Sequence, residues 1–160
     1  MSIVTPIFIP GLLCTARLFA AQRSAPDATG LLADTTTYDS ITGMAKAALD
    51  LCAGMVVPIG LSMGGYVALE MARLAPDRVA GMALLSTNCR QDTDAQRQQR
   101  RDLIKLSKHK GFQGITRHLL PRLLSDTALA DEALVEDVLA MARETGRDGF
   151  TSQQTAILGR

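Results

Sequence analysis

The sequence predicts an α/β fold, in which a parallel sheet of about four strands carries helices on both faces and is followed by a helical cap. Two observations predict this class. Short apolar runs alternate with helix-compatible stretches over residues 1–89, which is the pattern of βαβ units. Residues 90–160 hold 22 charged side chains against 11 in residues 1–89, and five Val and Ile against ten. We therefore predict a sheet-bearing core over 1–89 and a helical cap over 90–160.

The core region is predicted to contain four parallel strands. They are expected at residues 6–9, 31–36, 55–61 and 79–85. Helices are expected between them at residues 15–23, 41–52 and 63–75. The last of these helices ends because Pro76 cannot continue it.

The cap region is predicted to be helical throughout. Polar and apolar residues alternate there with helical spacing over residues 94–110, 112–124, 129–143 and from 150 to the end. Ser125 and Asp126 are candidate N-caps for the third of these helices, and Gly146 is its candidate stop signal. Its apolar face is expected to carry Leu134, Val138 and Met141.

Composition limits the function classes. With 160 residues and a net charge of +1, the chain can bury one core without disulfides or a structural metal. Its three cysteines, Cys14, Cys52 and Cys89, lack CxxC spacing, which favours a reducing compartment, so we expect a cytoplasmic protein. The apolar start has no basic segment before it, and no apolar run approaches the length of a membrane span.

A run of basic residues after the core raises the question of nucleic-acid binding. Six Lys and Arg lie between positions 97 and 110, but no aromatic residues are interleaved with them before Phe112. Asp92, Asp94 and Asp102 offset the positive charge. We interpret the run as a solvated helix face and expect no nucleic-acid partner.

The strongest chemical signal is the pattern Gly60-Leu61-Ser62-Met63-Gly64. The pattern alone arises by chance in about one chain of this length in twenty. Here it lies where the third predicted strand meets a helix, and at such a junction a sharp turn holds the serine hydroxyl above the sheet. Gly60 and Gly64 are expected to be small because strand and helix backbones approach there. A glycine-rich turn with a capping serine is the alternative.

A second segment lies upstream, where the first strand runs into a Pro-Gly turn: Ile7-Phe8-Ile9-Pro10-Gly11-Leu12-Leu13-Cys14. Together the two segments resemble the α/β-hydrolase fold, specifically its compact esterase, lactonase and lipase-like branch. Three further stretches, at 64–70, 75–79 and 153–157, also look like that family. The resemblance implies that Ser62 is the nucleophile and that the backbone N–H groups of Leu12 and Met63 form the oxyanion hole. It implies a sheet whose strands are ordered second, first, third, fourth. It also implies a small acyl substrate and no metal or organic cofactor.

A serine nucleophile also needs a histidine oriented by a carboxylate. In the family these follow strands that would come after residue 160, so the resemblance covers only the N-terminal portion. We expect both groups outside this truncated chain, which alone should be inactive or very weak. His109 and His118 are interpreted as polar positions on amphipathic helices. Asp92 and Asp94 occupy an alternative acid position used by some members, although a loop and N-cap role is the simpler interpretation.

Without further strands, the fourth strand would be a sheet edge, and exposed edges seek partners. We therefore expect self-association through this edge or a second chain that supplies strands. We expect no membrane partner. The alternative function is a non-catalytic binding or interaction module derived from a hydrolase.

Overall fold

The computed structural model describes residues 4–25, 29–109, 111 and 114–160. It has an α/β fold with one parallel sheet of four strands. The strands are β1 (Val4–Ile9), β2 (Leu31–Leu32), β3 (Met55–Leu61) and β4 (Ala83–Leu85). Their order in the sheet is β2-β1-β3-β4, which confirms the predicted fold class and strand order.

Six α-helices accompany the sheet within these ranges: α1 (Ala20–Arg23), α2 (Ile41–Leu49), α3 (Met63–Leu74), α4 (Asp94–Ser107), α5 (Asp126–Leu129) and α6 (Glu132–Leu158). Shorter 3-10 turns occur at Ala16–Phe19, Pro76–Arg78 and Arg117–Arg122. No helix among the described residues is both long and apolar enough to cross a bilayer.

Both faces of β1 are covered. Ile7 and Ile9 point into a core shared with α2, α3 and the end of α6, where Met44, Met71 and Ile157 are buried. Phe8 points to the opposite face and packs against Phe19, with ring centroids 5.1 Å apart. This burial on both sides explains why the strand is continuously apolar in sequence.

The register of β1 and β3 positions the site. Val4 pairs with Met55, and the ladder continues to Ile9 opposite Gly60. Because the strands are parallel, the loop after β1 and the turn after β3 leave the same edge of the sheet side by side.

Two predicted strands are shorter than expected. The strand predicted at 31–36 ends at Leu32, because Asp34 Oδ1 accepts hydrogen bonds from the backbone N–H groups of Thr36 (2.8 Å) and Thr37 (3.3 Å). Such a local turn competes with the strand ladder. The strand predicted at 79–85 makes one isolated bridge at Val79 and resumes only at Ala83.

The helix ends also differ from prediction. The helix predicted at 15–23 begins as a 3-10 turn, and those predicted to reach residues 52 and 75 end at Leu49 and Leu74. Of the helix predicted at 112–124, the described part is mainly the 3-10 turn Arg117–Arg122, which contains Pro121. Positions 110, 112 and 113 lie outside the described residues.

The helices predicted at 129–143 and 150–160 are the two arms of α6. Gly146 does not stop this helix; it breaks it, with φ 67° and ψ −176°. The true N-cap of α6 is Asp131, whereas Ser125 caps the short helix α5. Leu134 is exposed, so the predicted apolar face is only partly buried.

The second arm of α6 returns to the sheet-bearing core. Ala156 and Ile157 belong to the same buried cluster as Ile7 and Val56. The division of the chain at residue 90 stays a prediction, and in space the two regions share this core.

Candidate active site

Ser62 lies at the turn between β3 and α3 and has φ 53° and ψ −112°. A residue with a Cβ adopts such a positive φ only at a cost, which the surroundings must offset. The Ser62 N–H donates to the Leu85 carbonyl at 2.9 Å. The Ser62 carbonyl accepts from Thr87 Oγ1 at 2.8 Å and from the Gly65 N–H at 3.0 Å. Contacts with β4 and its following loop therefore hold the turn.

The flanking glycines lie where backbones nearly touch. A Cβ on Gly60 would lie 2.2 Å from the carbonyl oxygen of Gly64. A Cβ on Gly64 would lie 2.0 Å from the carbonyl oxygen of Ile9. Both neighbours are backbone atoms that cannot rotate away, so only glycine fits at these two positions.

The loop after β1 lies directly against this turn. A Cβ on Gly11 would lie 3.5 Å from Ser62 Cβ. Further along the loop, Leu13 has φ 58°, and its N–H donates to Gln153 Oε1 at 2.9 Å. Gln153 is fully buried on α6, so the end of the chain fixes the loop that faces Ser62.

Two backbone N–H groups near Ser62 have no acceptor among the described residues. Met63 is the first residue of α3, and first-turn N–H groups have no intrahelical partner. No described residue accepts a hydrogen bond from the Leu12 N–H. Donors of this kind at a helix N-terminus favour negative charge.

Ser62 lines a cleft of about 860 Å³ that lies between the sheet edge and residues of the predicted cap region. Most of its lining is apolar and comes from the β1 loop, α4, the 3-10 turn Arg117–Arg122 and both arms of α6.

Cys14 also lines the cleft. Burial raises the pKa of its thiol to about 11, outweighing a contact with the Gly11 backbone that lowers it. The thiol is therefore protonated at neutral pH and is a poor nucleophile.

A few polar side chains interrupt this lining, among them His109, Arg122 and Gln154. His109 follows the end of α4 and is exposed at the cleft. His118 lies in the 3-10 turn Arg117–Arg122 and is not part of the cleft lining. No described carboxylate forms a hydrogen bond or ion pair with either histidine.

Asp92 takes part in a buried ionic cluster. Its carboxylate accepts from Arg100 Nε at 2.5 Å and from an Arg160 terminal nitrogen at 2.7 Å. Burial raises the pKa of this carboxyl, but the hydrogen bonds and charges of the two guanidiniums outweigh it and hold the pKa below the ordinary value. Arg160 in turn lies over the Tyr66 ring, 3.7 Å from its centroid. Both carboxylate oxygens of Asp92 are thus paired with guanidinium groups rather than with a histidine.

Asp94 is the first residue of α4 and not its N-cap. Thr93 is the cap, in a reciprocal pair with Gln96. No group of three or more His, Cys, Asp or Glu side chains that could hold a metal ion occurs among the described residues.

Neither Gln153 nor Gln154 is among the sequence-predicted site residues. Their adjacent side chains reach different parts of the site, Gln153 to the β1 loop and Gln154 to the cleft. The sequence offers one local signal for these two residues, which is an adjacent pair of glutamines within an amphipathic helix. Glutamines that become buried need hydrogen-bond partners.

The fold is similar to that of several solved structures. No protein-family model matches the sequence, and no curated protein shows significant similarity to it. Among solved structures, a thermophilic esterase from Thermogutta terrifontis, with malate bound, is 23% identical with a TM-score of 0.88. The match covers 99% of this chain and 65% of the esterase.

Two further structures agree. The enol-lactonase from Burkholderia xenovorans is 20% identical with a TM-score of 0.76, over 97% of this chain and 65% of that one. A hydrolase from Oleispira antarctica is 17% identical with a TM-score of 0.67, over 98% of this chain and 66% of that one. The chain therefore has the α/β-hydrolase fold and spans about 65% of the length of the solved structures that it resembles.

Proposed function

We propose that this chain is the nucleophile-bearing part of a serine hydrolase that acts on a small ester, lactone or other acyl substrate. One observation carries the proposal: Ser62 has a positive φ at the turn into α3 and lines a largely apolar cleft. The esterase and enol-lactonase among the similar structures support the acyl class of substrate.

In this proposal Ser62 Oγ attacks the substrate carbonyl carbon and loses its proton to a base. The carbonyl oxygen becomes an oxyanion, which accepts hydrogen bonds from the N–H groups of Leu12 and Met63. The tetrahedral intermediate then expels the alcohol, which takes up the proton, and water hydrolyses the acyl-serine ester. Each oxyanion donor in such a site contributes about 3 to 4 kcal/mol to transition-state stabilisation.

The base is the part that this chain does not supply in the proposal. Asp92 is bound to Arg100 and Arg160, and no described carboxylate accepts a hydrogen bond from His109 to orient it. We assign the catalytic histidine and acid to a segment outside this chain, as the resemblance implies. The chain alone should then turn over esters weakly or not at all.

A second candidate is a binding module that keeps the cleft without the chemistry. The lack of a histidine–carboxylate pair among the described residues favours it. It predicts that small esters bind in the cleft unchanged even when any missing segment is restored.

A fluorophosphonate ester tests the proposal, because it forms a stable bond with an activated serine oxygen. In a longer chain that restores the catalytic histidine and acid, we expect intact mass and peptide mapping to place the label on Ser62, and Ser62→Ala to abolish it. Ser86→Ala is the matched control, since Ser86 also has a positive φ but does not line the cleft. Labelling that survives Ser62→Ala would rule out the nucleophile. Ester binding with no labelling in a longer chain would favour the binding module.

We also propose a cytoplasmic location and association through the β4 edge. All three cysteines are free, and Cys89 is exposed, which suits a reducing compartment. Leu84 and Leu85 on β4 are both 41% exposed, an unusual feature for a sheet strand of this fold class.

A further inference from the structure

The side chain of Gln154 has a fixed orientation in the wall of the cleft. The residue is only 1% exposed, and its Oε1 accepts a hydrogen bond from an Arg100 terminal nitrogen at 2.9 Å. A guanidinium can only donate, so the amide oxygen must face Arg100 and the amide NH₂ must face elsewhere.

Arg100 is itself held in place. Its Nε donates to Asp92, whose carboxylate also binds Arg160, and all three side chains are largely buried. Turning the Gln154 amide over would place its NH₂ against the Arg100 guanidinium, donor against donor. The cluster therefore fixes which end of the amide points away from it.

The NH₂ group of Gln154 has no acceptor among the described residues. Among the residues that the structure describes, Arg160 Nε is the only fully enclosed side-chain nitrogen or oxygen without a hydrogen-bond partner. Gln154 itself lines the cleft that contains Ser62. A rigidly held donor with no acceptor among the described residues thus lies in the wall of this cleft.

We infer that Gln154 is a specificity-determining residue that donates a hydrogen bond to a second oxygen atom of the substrate. This inference rests on the proposed function, in which Leu12 and Met63 already bind the oxygen of the reacting carbonyl. No Asp or Glu occurs in the described lining of the cleft, so no carboxylate there competes with the substrate for this donor. The substrate class is a small ester or lactone whose acyl chain carries a keto, hydroxyl or carboxylate oxygen.

Binding of two matched esters tests the inference without requiring turnover. In a Ser62→Ala background, methyl 4-oxopentanoate should bind about tenfold more tightly than methyl pentanoate, which lacks the keto oxygen. The Gln154 side-chain amide signals in a proton–nitrogen NMR spectrum should shift with the keto ester and move little with the alkyl ester.

Gln154→Glu is the decisive variant, because it keeps an oxygen acceptor for Arg100 and removes the donor. It should abolish the preference for the keto ester while leaving binding of methyl pentanoate within about twofold. Gln154→Met should do the same, and thermal unfolding verifies that each variant is folded. Gln98→Met, at an exposed glutamine on α4, should keep the full preference.

Equal binding of the two esters by the parent chain would overturn the inference, as would a preference that survives both Gln154 variants in folded protein. These results are independent of Ser62 labelling. A keto preference without labelling of Ser62 in the longer chain contradicts the serine hydrolase, whereas labelling there without a keto preference contradicts only the role of Gln154.

Discussion

Gln153 Oε1 accepts a hydrogen bond from the backbone N–H of Leu13 at 2.9 Å, across 140 residues of sequence. Gln153 is fully buried and Leu13 has a positive φ. Leu13 is the neighbour of Leu12, the proposed oxyanion donor. The second arm of α6 therefore sets the shape of the loop opposite Ser62.

Replacing Gln153 with Met should destabilise this loop. The Leu13 N–H would lose its buried acceptor, which costs about 1 to 3 kcal/mol of unfolding free energy. Denaturant unfolding measures the loss, and hydrogen exchange of the Leu13 amide should accelerate. Gln98→Met, at an exposed site, should change neither quantity. An unchanged exchange rate at Leu13 in Gln153→Met would contradict the anchoring role.

Gly60→Ala should destabilise the protein strongly. The new Cβ would lie 2.2 Å from the Gly64 carbonyl oxygen, and backbone must move to relieve the overlap. We expect a loss of about 3 kcal/mol or more, at the upper end for overpacking. Gly81→Ala is the matched control: no atom lies within 4 Å of its added Cβ, so its stability should change by less than about 0.5 kcal/mol. Similar effects of the two substitutions would disprove the close approach at Gly60.

Ser62→Gly should raise stability while removing the proposed nucleophile. Its backbone is held at φ 53°, and a glycine adopts this conformation without the strain that a Cβ imposes. We expect a gain of about 1 kcal/mol in unfolding free energy. Ser62→Ala keeps the Cβ and should gain much less, so a comparison of the two variants by thermal unfolding isolates the strain. Equal stability of the two would show that the turn is relaxed.

Asp92→Asn should cost about 3 kcal/mol at neutral pH, because two buried guanidiniums would lose their counter-charge. The pKa of Asp92 is lowered on folding, so its contribution is complete above the unfolded pKa and is lost as pH falls through the lower folded pKa. The stability difference between parent and variant should therefore be constant from about pH 5 to 7 and shrink below about pH 4. Asp148→Asn, at a 95% exposed side chain, should leave stability unchanged at both pH values. A difference that grows in acid would contradict the assigned pairing.

The sequence was sufficient to predict the sheet and the turn at Ser62. Four apolar runs with β-branched residues predicted the strands, and the family resemblance implied their order. The glycines around Ser62 predicted a close approach of backbones, and the structure has one there. Both signals are local, since they depend on residues within one or two turns of each other.

The features that could not be predicted depend on contacts that are distant in sequence or on competition within a turn. Asp34 ends β2 early through its side chain, a choice that strand propensity does not encode. Gly146 is accommodated inside α6, because both arms of the helix have surfaces to pack against. Gln154 joins Arg100 across 54 residues, and only the folded chain brings them to the cleft.

Leu84→Lys should increase the monomer fraction in solution. Leu84 is 41% exposed on β4, which lies at the edge of the described sheet, and an added charge there opposes strand pairing. Leu134→Lys replaces a leucine of nearly equal exposure, 40%, away from the sheet and should leave the association unchanged. Light scattering at micromolar concentration measures both. A parent chain that is already a stable monomer would contradict association through β4.

Both polar main-chain groups of Ser62 are bonded to the segment that begins with β4, its N–H to Leu85 and its carbonyl to Thr87. The proposed nucleophile is thus bonded to the edge of the described sheet, next to the backbone groups that an added strand would engage. Under the proposed association through β4, strand pairing there would also restrain the backbone of Ser62.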